Sequence, residues 1–213
     1  MKLQLALDRL SLPEAYRVIN ETKNCIDLIE IGTGVIKEHG MSIIKKIKND
    51  FPTKIVLADM KTCDAGEHET ELAFKASADF STVMAFASDR TISDSLKVAN
   101  KYGNQILIDL LGFSGTERII QLIDLGAKYF CIHLGKDQQK SGQIPDTFLE
   151  IISRFPEVSF AVAGGINIDT LPIIVKYRPD ILIVGSSITS SKNPLKVANK
   201  MKGYISDYAK DNK

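Results

Sequence analysis

Short apolar runs recur along this chain at nearly even intervals. Residues 3–7, 27–31, 54–58, 80–84, 105–109, 129–133, 159–163 and 181–184 are rich in aliphatic, β-branched or aromatic side chains. Several are apolar from end to end, as in Ile181-Leu182-Ile183-Val184. Such runs fit strands covered on both faces, the pattern of parallel sheets. Between Asp8 and Val184 they are spaced about 25 residues apart, room for a strand and a returning helix.

The intervening stretches carry helical periodicity. Ser11-Leu12-Pro13-Glu14 offers a capping hydroxyl, an early proline and an early acid. Ile43, Ile44 and Ile47 share one helical face, as do Ile92, Leu96 and Ala99. Asn167, Ile168, Leu171, Ile174 and Val175 make another, and Val197, Met201, Ile205 and Tyr208 mark a closing helix over 193–208. The charged tail 210–213 is expected to fray. No Pro/Gly/Ser linker divides the chain, so a single domain over 1–213 is expected. Eight strand–helix units admit a closed barrel or an open doubly wound sheet. The open sheet usually carries a glycine-rich turn after its first strand. Here Asp8-Arg9-Leu10-Ser11 takes that place, which favours an α/β (β/α)8 TIM barrel.

Composition narrows the function classes. The chain has 213 residues, 44% hydrophobic and 25% charged, with a net charge of +1. That balance excludes a disordered chain and leaves no long-range field to draw nucleic acid or an anionic membrane. No window approaches a membrane span. The first eight residues are too short and too quickly charged to read as a signal peptide. Cys25, Cys63 and Cys131 are odd in number and far apart, so neither a disulfide framework nor a zinc site is indicated. Cys63 reads as a small buried residue. A reducing cytoplasmic compartment is the expectation.

A barrel carries its chemistry at the C-terminal ends of its strands. Here strand 1 ends in Asp8, strand 2 carries Glu30, strand 3 runs into Asp59 and Lys61, strand 5 ends in Asp109 and strand 6 in His133. Strands 7 and 8 open into Gly164-Gly165 and Gly185-Ser186. Glycine pairs at these two positions can hold a phosphate on backbone N–H groups; the bland reading is a tight strand–helix turn. Glu30 and Asp59 offer oxygen ligands to a hard cation such as Mg²⁺, against the alternative of a salt bridge to Lys61. Lys61 is either a Schiff-base nucleophile or a cation that stabilises an anionic intermediate. Asp59 and Asp64, if they face it, favour the second. His133 is a core imidazole or a general acid/base, and its place on the rim favours the second. His39 and His68 read as solvated.

In order along the chain stand Ala6-Leu7-Asp8, Glu30-Ile31-Gly32-Thr33, Ala58-Asp59-Met60-Lys61-Thr62-Cys63-Asp64-Ala65-Gly66, His133-Leu134-Gly135-Lys136-Asp137, Ala163-Gly164-Gly165-Ile166 and Val184-Gly185-Ser186-Ser187-Ile188-Thr189. Together they resemble the orotidine-5′-monophosphate decarboxylase superfamily over essentially the whole chain. Within it they are similar to the 3-hexulose-6-phosphate synthase branch, whose sibling is the 3-keto-L-gulonate-6-phosphate decarboxylase branch. The resemblance implies a Mg²⁺-dependent lyase, with Mn²⁺ as the alternative ion, acting on D-ribulose 5-phosphate and formaldehyde through an enediolate. It implies Glu30 and Asp59 as metal ligands, Lys61 at the enediolate oxygen, His133 in proton transfer, Asp8 on substrate hydroxyls, and Gly164, Gly165, Gly185 and Ser186 on the phosphate. It also implies a homodimer in which Asp64 reaches the partner's site. Asp109, Ala163 and Ser186 match the synthase branch. Lys136, a further substrate-binding candidate, fits neither branch cleanly. A phosphate-binding barrel without catalysis is the reading of another class.

Overall fold

A computed structural model describes residues 1–113, 115–141 and 144–211. The strands are β1 (Lys2–Leu7), β2 (Leu28–Ile31), β3 (Ile55–Thr62), β4 (Phe80–Met84), β5 (Gln105–Asp109), β6 (Tyr129–His133), β7 (Ser159–Ala163) and β8 (Ile181–Val184). They pair in parallel in chain order, and β8 closes onto β1 with Leu5 opposite Val184. The expected (β/α)8 barrel is the fold, and the open-sheet alternative is excluded. β2 starts one residue later than expected, because the Asp27 side chain accepts from the Leu3 N–H at 2.8 Å. β3 is longer than expected. It runs through Asp59 and Lys61 to Thr62, with a register shift against β4 between Ala58 and Thr62.

The helices are α1 (Leu12–Thr22), α2 (Thr33–His39), α3 (Ser42–Asp50), α4 (Gly66–Lys75), α5 (Asp89–Tyr102), α6 (Glu117–Asp124), α7 (Asp146–Leu149), α8 (Ile151–Arg154), α9 (Leu171–Ile174), α10 (Ser186–Thr189) and α11 (Pro194–Asp211). Glu14 anchors the start of α1 by accepting from the Ser11 N–H at 3.0 Å and its hydroxyl at 2.6 Å. Asn167 and Ile168 fall outside α9, contrary to the periodicity. Asn167 Oδ1 instead accepts from the Asp169 and Thr170 N–H groups at 2.8 and 3.0 Å, so it caps the turn that leads into the helix. Helix α11 continues to Asp211; Asn212 and Lys213, the rest of the tail, lie outside the described residues. Among the described residues no helix is long and apolar enough to cross a membrane.

Alternation along each strand sorts side chains into two cores. Leu3, Leu5, Leu7, Ile29, Ile31, Ile108 and Leu182 face outward and are sealed by the helices. Ala6, Leu28, Leu57, Phe80, Leu107, Cys131, Ala161, Ile181 and Ile183 fill the barrel interior. Each large aliphatic side chain removed from water this way contributes roughly 1.5–3 kcal/mol. The interior filling is the floor on which the polar rim rests.

Candidate active site

Strand β3 sets the first part of the rim. Lys61 has a left-handed backbone, with φ of 49°. Its N–H donates to the Thr82 hydroxyl of β4 at 2.8 Å, so the irregular end of the strand is tied to its neighbour. This kink aims the Lys61 side chain across the barrel mouth. Its Nζ lies 3.0 Å from the Asp59 carboxylate and 2.9 Å from Asp109 Oδ2. Burial works against the ammonium, but the two carboxylates outweigh it and hold the pKa of Lys61 above the ordinary lysine value. Two flanking carboxylates favour the ammonium, which disfavours the Schiff-base reading. The partner opposite Asp59 is Asp109, not Asp64 as the sequence suggested. Asp64 lies beyond the strand end, exposed and away from the cavity.

Asp109 serves two side-chain donors at once. Its Oδ2 is 2.9 Å from His133 Nδ1 as well as 2.9 Å from Lys61 Nζ, and its Oδ1 accepts from the Leu111 N–H at 2.9 Å. Burial would raise its pKa, yet the hydrogen bonds and charges of His133 and Lys61 hold it down at about 2. A carboxylate only accepts, so His133 carries its proton on Nδ1 and leaves Nε2 for a bound molecule.

The third part is a carboxylate cluster. Glu30 is 8% exposed and Asp59 5%, both at the floor of a cavity of about 650 Å³ that Asp8 also lines. Burial pushes the Glu30 carboxyl well above its ordinary range, and the nearby Asp59 and Asp8 push the same way. Burial and Asp59 likewise raise Asp8. Asp59 accepts from Thr33 Oγ1 at 2.8 Å and Thr82 Oγ1 at 2.9 Å in addition to Lys61. Asp8 packs so closely on β2 that a Cβ on Gly32 would lie 2.0 Å from its Oδ1. Hard-oxygen donors gathered this way suit a divalent cation. Among the described residues no three acidic, His or Cys side chains form a complete ligand set, so such an ion would draw its other ligands from water or substrate. The alternative salt bridge is present for Asp59; among the described residues Glu30 instead accepts from Gln4 Nε2.

The two glycine turns follow β7 and β8, the second beside the strand that leads into Asp8. Gly164 and Gly165 take φ of 100° and 69°, and a Cβ on Gly164 would lie 2.1 Å from the Leu134 carbonyl oxygen. Gly185 caps α10, whose first-turn N–H groups lack intrahelical acceptors. Ser187 ties the two turns together by donating to the Ile166 carbonyl at 2.6 Å. Gly164, Gly165, Gly185, Ser186 and Ser187 all line the cavity, as does the exposed Lys136.

The single chain therefore brings Asp8, Glu30, Asp59, Lys61, Asp109, His133, Lys136 and both glycine turns into one cavity, and leaves Asp64 outside it. His68 is exposed as expected, and His39 is half-buried at the end of α2. Cys63 is exposed rather than buried, because the chain turns outward after Thr62; its Sγ lies 3.2 Å from the Lys61 carbonyl oxygen. Sequence reasoning missed Gln4 and Thr82 and gave Thr33 no role. Their signal was a polar residue inside or directly after an otherwise apolar strand.

Comparison with known proteins agrees with this geometry. Residues 1–201 match the family described as orotidine 5′-phosphate decarboxylase / HUMPS. The 3-hexulose-6-phosphate synthase of Bacillus subtilis is 40% identical over 209 residues, covering 96% of this chain and 99% of the relative. The crystal structure of 3-hexulose-6-phosphate synthase from Salmonella typhimurium superposes with a TM-score of 0.94 at 36% identity, covering 98% and 100% of the two chains. A crystal structure of KGPDC from Streptococcus mutans superposes with a TM-score of 0.91 at 27% identity, covering 97% and 98%. A closed barrel with this rim, matched along nearly its full length, makes the chain a member of the orotidine 5′-phosphate decarboxylase / HUMPS family.

Proposed function

We propose that this chain catalyses the 3-hexulose-6-phosphate synthase reaction, the aldol condensation of formaldehyde with D-ribulose 5-phosphate to D-arabino-hex-3-ulose 6-phosphate. The observation that carries it is the Lys61–Asp109–His133 arrangement: a fixed cation and an imidazole with an available nitrogen, joined on one carboxylate in the cavity that the two glycine turns also line. The synthase names of relatives at 34–40% identity support the same reading.

The turns at Gly164-Gly165 and Gly185-Ser186 hold the phosphate, and Asp8 takes substrate hydroxyls. Glu30 and Asp59 hold a divalent ion, Mg²⁺ or Mn²⁺, which supplies Lewis-acid stabilisation of the substrate's oxygens when bound. His133 Nε2 accepts the C1 proton of the ketose. The Lys61 ammonium stabilises the negative charge left on the enediolate oxygen. C1 then forms the new bond to the formaldehyde carbon as the C=O π pair moves to oxygen, and that oxygen takes back the proton held on His133 Nε2. Asp109 holds Lys61 and His133 in register throughout. Asp64 completes the site of a second copy in a homodimer.

A specific feature favours a second reading. Lys136 is an exposed cation lining the cavity, placed to assist proton delivery to an enediolate formed by loss of CO₂. This is the 3-keto-L-gulonate-6-phosphate decarboxylase reaction. The test is formaldehyde consumption by the purified protein with D-ribulose 5-phosphate and Mg²⁺, beside CO₂ release from 3-keto-L-gulonate 6-phosphate. Formaldehyde loss that stops with chelator is expected; folded protein inert in the first assay overturns the synthase reading.

A further inference from the structure

Gln4 lies one layer below the carboxylate cluster. Strand β1 turns Leu3, Leu5 and Leu7 outward to the helices and Ala6 inward, so alternation puts Gln4 in the barrel interior, where it is 0% exposed. Its layer is otherwise apolar, with Leu28 opposite it on β2. Gln4 Nε2 donates to Glu30 Oε2 at 2.5 Å, while Gln4 Oε1 is buried without a hydrogen-bond partner among the described residues. An orphaned buried carbonyl costs stability, and a methionine would fill the same space without it. Packing therefore does not explain the amide.

We propose that Gln4 is a positioning residue, whose amide clamps one oxygen of Glu30 from below and leaves the other for a divalent cation in the cavity. The inference rests on the metal reading given above. A neutral donor suits the task. It fixes the direction of the carboxylate without cancelling its charge, as a lysine in the same place would. Asp59 is held differently: Thr33 donates to its Oδ2, and Thr82 and the Lys61 ammonium to its Oδ1, so among the described residues Glu30 is the ligand candidate with a neutral clamp alone. Partners behind a ligand typically govern metal affinity by 10–100-fold.

The test is Mn²⁺ titration of the full chain, followed by electron paramagnetic resonance of the free ion, for the wild type and Gln4→Met. Melting in chelator is measured alongside. The expected result is a Kd for Mn²⁺ raised roughly 10–100-fold with no loss of melting temperature in the metal-free variant. A variant that binds Mn²⁺ as tightly as the wild type overturns the proposal, whatever its melting temperature. Should Gln4→Met fail to fold, Gln4→Asn serves. It keeps the amide but withdraws it by one methylene, and unchanged affinity there is equally fatal. A wild type that takes up no Mn²⁺ sinks the metal reading itself and this inference with it, an outcome distinct from equal affinities.

Discussion

Lys61 Nζ lies 2.9 Å from Asp109 Oδ2, across 48 residues of chain and two strands of the barrel. The same oxygen holds His133 Nδ1 at 2.9 Å, so one carboxylate fixes both the cation and the imidazole. Asp109→Asn should leave the barrel folded and lower kcat by roughly 10²–10⁴-fold, the range of a misplaced acid–base group. The pair also sets a pH dependence. Asp109 is held down from 3.8 to about 2, so the stability it contributes is complete above about pH 4 and is lost as the pH falls through 2. Between pH 5 and pH 2, denaturant titration should show the wild type losing on the order of 2 kcal/mol that Asp109→Asn does not lose. Parallel curves would refute the assignment.

Lys61 should stay charged through the whole working range, because Asp59 and Asp109 outweigh its burial. Borohydride added with D-ribulose 5-phosphate should leave the mass of the protein unchanged. Lys61→Ala should cost about 10²–10³-fold in kcat through lost charge stabilisation. A reduced adduct on Lys61 would restore the Schiff-base mechanism.

Glu30 responds to pH in the opposite sense to Asp109. Its folded pKa is raised by burial and by Asp59 and Asp8, so the folded state takes up the proton more readily than the unfolded chain. Without metal, its effect on stability worsens as the pH rises from about 4.5 through the elevated value. In chelator at pH 8, Glu30→Gln should be more stable than the wild type by about 1–3 kcal/mol, with the gap closing toward pH 5. Wild type more stable than Glu30→Gln under those conditions would contradict the crowding of the cluster.

Gly32→Ala tests the fit of Asp8. The added methyl would lie 2.0 Å from Asp8 Oδ1 and 2.6 Å from the Leu7 carbonyl oxygen, so side chain and strand end must both shift. A destabilisation of about 1–3 kcal/mol is expected, with a rise in KM for the sugar phosphate. Unchanged kinetics would show that Asp8 does not contact substrate.

Asp64 lies outside the cavity of its own chain, and a role in catalysis therefore requires a second copy. Asp64→Ala should be nearly inactive alone. Mixed with Lys61→Ala, it should regain part of the activity, since some hybrid dimers hold one intact site. No regain in mixed dimers would remove Asp64 from the site.

Much of this was legible in the residues. Runs 80–84, 105–109, 129–133, 159–163 and 181–184 coincide with β4 to β8, because fully covered strands leave an apolar run with few alternatives. Asp109 and His133 were legible as strand ends. The hold of Asp109 on both Lys61 and His133 was not, since closure of the barrel brings together residues that no local spacing relates. The length of β3 was hidden for a related reason. Asp59 and Lys61 look like a loop by composition, and only pairing with β4, bent at Lys61, makes them strand. Asn167 looked helical because a cap and the first turn share the same spacing. Gln4 escaped notice because one polar letter among leucines gives no hint of what it touches.

The bond from Ser187 to the Ile166 carbonyl joins the two glycine turns into a single body at one side of the cavity. Lys61 and His133 are fixed by Asp109, the imidazole on β6 next to the strand that ends in the Gly164 turn. A phosphate seated on the turns would turn the site into a ruler. The distance from the anchored end of the sugar to the reacting end is set by the scaffold, and neither end can slide to meet the other. Displacement by about 1 Å is enough to cost some 10²-fold in rate. A ketose phosphate one carbon longer or shorter would therefore be rejected by length alone, before any of its hydroxyls were read.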